Sequence, residues 1–333
     1  METTLKHKVN WRGIGWFVLI AYGLMWLLAL PMYLDGKGLN SPWAALIVVM
    51  NFCPAVATLI VARWISPLPR TRLATGLRRG VPGSRWGLYY LFGWLGYVGL
   101  SMAAPFVAAA LGLYQLDLAN FSGFRASLEA GYGAAGAQQL LSLGPIQLVV
   151  LFGLVFTLLY ALLTTPLTFG EEWGWRGYLL PQLLPLGQWP ALLLSGAIWG
   201  LWHTPLILLG FDYPLHPVLG VLLITLVGVI FGTLLGWTRL KTGSVWPAVL
   251  GHASIDASAG AVLVFGRAGA PFDSAVLGLT GWTGWIVPLA LIGLLVLARQ
   301  LPGRNPLEVA RSLEGEQYAD FADNGNPQSA KSV

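Results

Sequence analysis

Three clusters of ionisable residues stand out in otherwise apolar sequence: Glu171-Glu172-x-x-x-Arg176, His203, and His252-x-x-x-Asp256. Carboxylates and imidazoles together are the inventory of a metal-assisted hydrolase, in which a base activates water and a cation or hydrogen-bond donor stabilises the developing oxyanion. On a helix, Glu172 and Arg176 lie four residues apart and pair, whereas Glu171 projects about 100° away and is free to face a cavity. His252 and Asp256 share one helical face and present an imidazole and a carboxylate to the same neighbour. Each cluster also has a plainer reading. The first could be a solvated, salt-bridged turn, the second a hydrogen-bonded core histidine, and the third a polar clasp between helices.

The elements that must position these residues are transmembrane helices. Hydrophobic residues make up 56% of the 333 positions and charged residues only 10%, and the mean hydropathy is +0.67. A soluble domain carries roughly 25% charged residues, so this chain lacks the groups to cover a water-facing surface. An ionisable side chain inside a bilayer costs roughly 2.5–3.5 kcal/mol, which is why such residues face a protein interior, pair, or do chemistry.

The expected fold class is all-α: a polytopic transmembrane bundle of about eight spans enclosing an intramembrane catalytic cavity. The spans read as 13–34, 43–63, 86–113, 145–169, 190–210, 217–237, 245–266 and 279–299. Trp11, Trp43, Trp86, Trp189, Trp246 and Trp285 mark their ends as interfacial anchors. The first apolar run is too long for a cleavable signal peptide and reads as a span. The domains follow: a polar lead at 1–12, transmembrane helices and loops at 13–144, the chemistry-bearing core at 145–266, a last transmembrane helix at 267–300 and a polar tail at 301–333. Residues 114–144 read as a longer loop with room for an amphipathic segment, and 306–318 as one short helix in the tail.

With the N-terminus inside, all but three of the 19 Lys and Arg residues fall on the cytoplasmic side; the exceptions are Lys37, Arg125 and Arg267. This places both termini in the cytoplasm, in the plasma or inner membrane. The formal charge of +5 is therefore a topology signal that also suits anionic lipid headgroups; nothing points to nucleic acid. Cys53 is the only cysteine, which excludes an intrachain disulfide and suits a packed core thiol. His7 and His216 are weaker candidates for chemistry.

Within the core, Thr164-Thr165-Pro166 is expected to break or kink the fourth span, with Glu171 to Leu184 a separate short helix. Pro205 frees a carbonyl near residue 201, and Gly200 admits a close neighbour. One difficulty is depth. His203 lies roughly 21 Å along its helix from Trp189, and His252 only roughly 9 Å from Trp246. For the two to meet, the fifth span must tilt or begin outside the bilayer.

Taken in order, Glu171-Glu172-Trp173-Gly174-Trp175-Arg176-Gly177, Trp199-x-x-x-His203 and His252-x-x-x-Asp256 resemble the three motifs of the CPBP family, the CAAX prenyl endopeptidase and bacteriocin-processing intramembrane proteases, also called the Abi family. The stretch Gly236 to Pro247 is similar to the segment that precedes the third motif. The second motif usually begins with Phe where this chain has Trp199, which reads as a packing change. The third usually ends in Asn where this chain has Asp256. The resemblance implies peptide-bond hydrolysis near the cytoplasmic face, with Glu171 as the base that activates water. His203 and His252 would be metal ligands or water-positioning groups, Asp256 would stabilise the oxyanion or orient the metal site, and Arg176 would fix the motif helix through Glu172. A divalent metal, zinc, is the expected cofactor, held by Glu171, His203 and His252. The expected partner is a peptide or membrane-protein substrate, lipidated in some members, together with membrane lipids. Two alternatives stay open: a catalytically silent scaffold or immunity protein of the same fold, and a proton- or cation-coupled transporter using the same residues as a relay.

Overall fold

The computed structural model describes residues 9–81 and 85–302. His7, the basic residues of the extreme N-terminus and the 306–318 helix expectation lie outside the described residues. Among those described, the chain is helical throughout, with an isolated β-bridge between Leu116 and Gly266 in place of any strand. The main helices are α1 (Trp11–Leu34), α2 (Cys53–Ile65), α3 (Trp86–Ala110), α4 (Ser122–Leu141), α5 (Ile146–Glu172), α6 (Gln188–Trp202), α7 (Pro217–Thr242), α8 (Trp246–Ser258) and α9 (Trp282–Leu297).

A helix stands at each position expected to span, but not every one is long enough to cross. Five stretches among the described residues are both long and apolar enough, or six if Pro42–Met50 and Cys53–Ile65, which meet at 47°, form one broken span. The segments expected at 190–210 and 279–299 form helices of 15 and 16 residues. At 1.5 Å per residue these reach less than the roughly 30 Å of a hydrocarbon core. The expected loop at 114–144 contains the 20-residue α4, interrupted at Gly133, whose φ of 72° and ψ of 167° are non-helical.

Of the break or kink expected at Pro166, the break does not occur. Helix α5 runs through it to Glu172, passes through a π turn at Trp173–Leu179, and continues as part of a 41-residue helical stretch ending at Leu186. Pro166 cannot donate to the carbonyl of Leu162, and the Thr165 hydroxyl donates to that oxygen instead, at 2.8 Å. The helix thus keeps its acceptor satisfied, as membrane helices containing proline must. The same substitution operates at Pro205, where the Thr204 hydroxyl takes over the Leu201 carbonyl at 2.5 Å. At roughly 60 Å, the stretch is twice as long as a bilayer core is thick. Its C-terminal turns therefore extend past the hydrocarbon layer or run along it. That suits the second way round the depth difficulty, an α6 that begins outside the bilayer.

Without a hydrophobic drive between helices in lipid, packing rests on close backbone approach and interhelical hydrogen bonds. Helices α6 and α7 touch backbone to backbone. A Cβ on Gly196 would sit 2.6 Å from the Gly228 carbonyl, and one on Gly228 would sit 2.6 Å from the Gly196 carbonyl. Helix α1 is tied to α6 by Trp202 Nε1 donating to Ala21 O (3.1 Å) and by Tyr22 Oη donating to Ile198 O (2.6 Å). Helix α8 is tied to α5 by Thr168 Oγ1 on Val249 O (3.0 Å), and to α3 by Ser258 Oγ on Ser101 Oγ (2.6 Å). Cys53 is a free, buried thiol, as expected.

Gly228→Ala should gain helix propensity yet lose stability, because the new methyl meets a backbone carbonyl that cannot step aside; overpacking of this kind costs about 1–3 kcal/mol. Thermal unfolding in detergent should show a lower midpoint than wild type. An unchanged or raised midpoint would contradict the backbone contact.

Candidate active site

The acidic pair lies at the end of α5, and consecutive positions send its two side chains apart. Glu172 is fully buried and Glu171 nearly so. The π turn after them carries Arg176 one turn further along, and its Nη1 donates to Glu172 Oε1 as the spacing predicts. From α8, His252 Nδ1 reaches the same oxygen at 3.0 Å. One carboxylate oxygen thus holds a guanidinium from its own helix and an imidazole from another.

Glu171 faces instead into a cavity of about 420 Å³ that His203, His252 and Asp256 also line. Its Oε2 accepts the indole N–H of Trp199 at 2.8 Å, and its other oxygen has no protein partner among the described residues. The structure therefore gathers Glu171, His203, His252 and Asp256 around one volume and sets Glu172 and Arg176 behind it.

Both imidazoles have an assignable tautomer. His203 Nδ1 lies 3.0 Å from the Trp199 carbonyl, which only accepts, so Nδ1 carries the proton. The Glu172 carboxylate places the proton of His252 on Nδ1 by the same logic. When neutral, each ring then holds a lone pair at Nε2. His252 Nε2 is 3.6 Å from Asp256 Oδ1, beyond direct hydrogen-bond range.

Zinc meets a mixed answer here. A histidine whose Nδ1–H rests on a carboxylate or carbonyl is a good metal ligand. Yet among the described residues, no group of three or more His, Cys, Asp or Glu side chains is gathered closely enough to hold a metal ion. The Glu171, His203 and His252 set is thus suited in chemistry and not in spacing.

Two residues escape the sequence reading. Trp199 is more than a replacement for Phe. Besides its bond to Glu171, its ring lies 4.2 Å beneath the Arg176 guanidinium and stands edge-on to His252, centroids 5.1 Å apart. Phe would reproduce the ring contacts but has no N–H for the carboxylate. The motif pattern did mark this position, but nothing in it tells which way the indole nitrogen points. Asp212, in the loop before α7, also lines the cavity, and no spacing ties it to the other clusters. His216 is engaged elsewhere, with Nε2 3.1 Å from Asp273 Oδ2 near the surface. Ser254 is fully buried and absent from the cavity wall.

Two substitutions separate these roles. Glu172→Ala strands Arg176 and His252 without their carboxylate, and breaking a buried pair costs about 3–5 kcal/mol. The variant should lose thermal stability in detergent or fail to purify as a single species. Trp199→Phe should keep the fold and lose only the bond to Glu171. Its midpoint should stay closer to wild type than that of Glu172→Ala, and the opposite ranking would overturn this division.

Comparison with known families agrees with the site. Residues 151–258 match the family model described as type II CAAX prenyl endopeptidase Rce1-like. No curated protein and no solved structure matches the chain. The matched segment contains both acidic residues, both cavity histidines and Asp256, and several of its helices are apolar enough to cross a membrane. The chain is an integral membrane protein, and its segment 151–258 is similar to the type II CAAX prenyl endopeptidases of that family model.

Proposed function

We propose that this protein is an intramembrane endopeptidase in which Glu171 activates water against a peptide bond held in the cavity. The observation that carries the reading is the different treatment of the two glutamates. Glu172 is held through Oε1 by Arg176 and His252, with its Oε2 buried away from the cavity, whereas Glu171 is oriented through one oxygen by Trp199 and presents the other to the cavity. An anchored carboxylate with one free oxygen is suited to take a proton from water. The Nε2 atoms of His203 and His252, facing the same cavity, position that water or serve the leaving group. Protonated His252, stabilised by Glu172, is the group able to bind the developing oxyanion. Asp256 lies beyond its Nε2 and orients it. The largely apolar walls suit an apolar or lipidated peptide. The distribution of basic residues supports cytoplasmic termini and cleavage near the cytoplasmic face of the plasma or inner membrane.

The test is cleavage of a quenched-fluorescent library of apolar peptides, prenylated members included, by detergent-purified wild type beside Glu171→Gln. Turnover should fall at least about 100-fold in the variant, the range of a lost general base. Equal background in both proteins would favour the scaffold or transporter reading. The same assay run with a zinc chelator decides the cofactor. Unchanged turnover supports water activated by Glu171 alone, and inhibition reversed by added zinc would put a metal at Glu171, His203 and His252.

A further inference from the structure

Three carboxyls, Glu171, Asp212 and Asp256, and two imidazoles, His203 and His252, line the cavity, with no Lys or Arg among its lining residues. Four of them have a role in the arrangement above. Glu171 accepts the Trp199 N–H, His203 and His252 are held through Nδ1, and Asp256 lies 3.6 Å from His252 Nε2. Asp212 is the exception. No hydrogen bond or ion pair reaches its carboxyl among the described residues, and the ionisable group acting on it is another carboxyl, Asp256. Asp212 is exposed to the cavity and not packed within the protein; withdrawal from bulk water into that recess is the larger influence and Asp256 the second, and together they push its carboxyl up to about 6.

Most of the remaining cavity wall is apolar, Met25, Ile47, Val227 and Leu279 among it, with uncharged polar groups from Asn51, Thr168 and Thr280. An unpaired carboxylate in such surroundings is unfavourable, and a cation brought by a ligand relieves it. The loop that carries it is anchored by Tyr213, which is fully buried and whose hydroxyl donates to Thr280 O, just before α9, at 2.8 Å. The φ of 59° at Asp212 is a left-handed turn that Asp tolerates better than most residues. The carboxyl therefore sits on an anchored turn.

The geometry points to Asp212 as a specificity-determining residue that receives a basic side chain of the substrate, so that the preferred substrate is an apolar peptide segment carrying a Lys or Arg. This inference rests on the protease reading and names the substrate class for the same cavity. The apolar walls take the apolar residues, and the Asp212 carboxylate takes the ammonium or guanidinium.

The experiment uses quenched-fluorescent apolar octapeptides, N-acetylated and C-amidated so that only a side chain carries charge, with Lys, norleucine or Glu at each position in turn. Wild type should cleave the Lys peptide over its norleucine counterpart at one position by at least about tenfold in kcat/KM, as expected for a charge pair formed away from bulk water. The ratio should fall towards one in Asp212→Asn, be restored in Asp212→Glu, and shift towards the Glu peptide in Asp212→Lys. A wild-type enzyme without the preference, or Asp212→Asn retaining it, would overturn the assignment. Binding of the same peptides to Glu171→Gln, read by quenching of tryptophan fluorescence, needs no turnover. Lys selectivity lost on adding Asp212→Asn to that background supports the role of Asp212 even if no peptide is cleaved, an outcome that would count against the protease reading alone. Equal binding of Lys and norleucine peptides overturns this inference and leaves the protease reading standing.

Discussion

A charged side chain in a hydrocarbon layer has no water to solvate it, and the site of this protein depends on how Glu172 meets that constraint. Its Oε1 accepts from Arg176, one turn along the same helix, and from His252 on α8. The first contact is local and forms wherever the helix forms. The second joins two elements 80 residues apart in sequence and sets both the position and the tautomer of an imidazole that lines the cavity. Removing Glu172 strands both of its partners, and removing Arg176 leaves the Glu172 carboxylate without its guanidinium, so the ion pair is held as a unit. Glu171 is left to face the cavity because its neighbour in sequence carries this structural work.

Around that anchor, polar contacts follow one pattern: a side chain supplies what the backbone or the lipid cannot. Thr165 and Thr204 cover carbonyls freed by Pro166 and Pro205. This lets α5 reach the acidic pair unbroken and lets the chain turn at His203 without losing its ladder. Trp199 bridges the two halves of the site, bonding Glu171 through its nitrogen and covering Arg176 with its ring face. The backbone contact between α6 and α7 at Gly196 and Gly228 brings Trp199 and His203 close to the wall formed by α7. Each of these contacts shapes the cavity while also satisfying a group that would otherwise be stranded in an apolar medium.

Much of the site was legible beforehand because its information is local. The i, i+4 relation of Glu172 and Arg176, the divergence of Glu171 from Glu172, and the shared face of His252 and Asp256 all follow from 3.6 residues per turn. The apolar composition likewise dictated a membrane bundle. What misled was reasoning from single residues where a neighbour compensates. Pro166 reads as a break only if the hydroxyl of Thr165 is ignored, and α6 and α9 read as full spans only if apolar character is equated with helical length.

The sequence by itself determined that this chain lives in a membrane, that its helices carry a small set of ionisable groups, and which of them share a helical face. Hydropathy and helical period are properties of consecutive residues, so they need no partner to be read. Only the tertiary structure decided that Glu171 and not Glu172 faces the cavity, that the indole of Trp199 bonds the Glu171 carboxylate, and that Asp212 joins the same wall. These depend on the rotation and approach of separate helices, fixed by glycine contacts and interhelical hydrogen bonds that no linear spacing encodes.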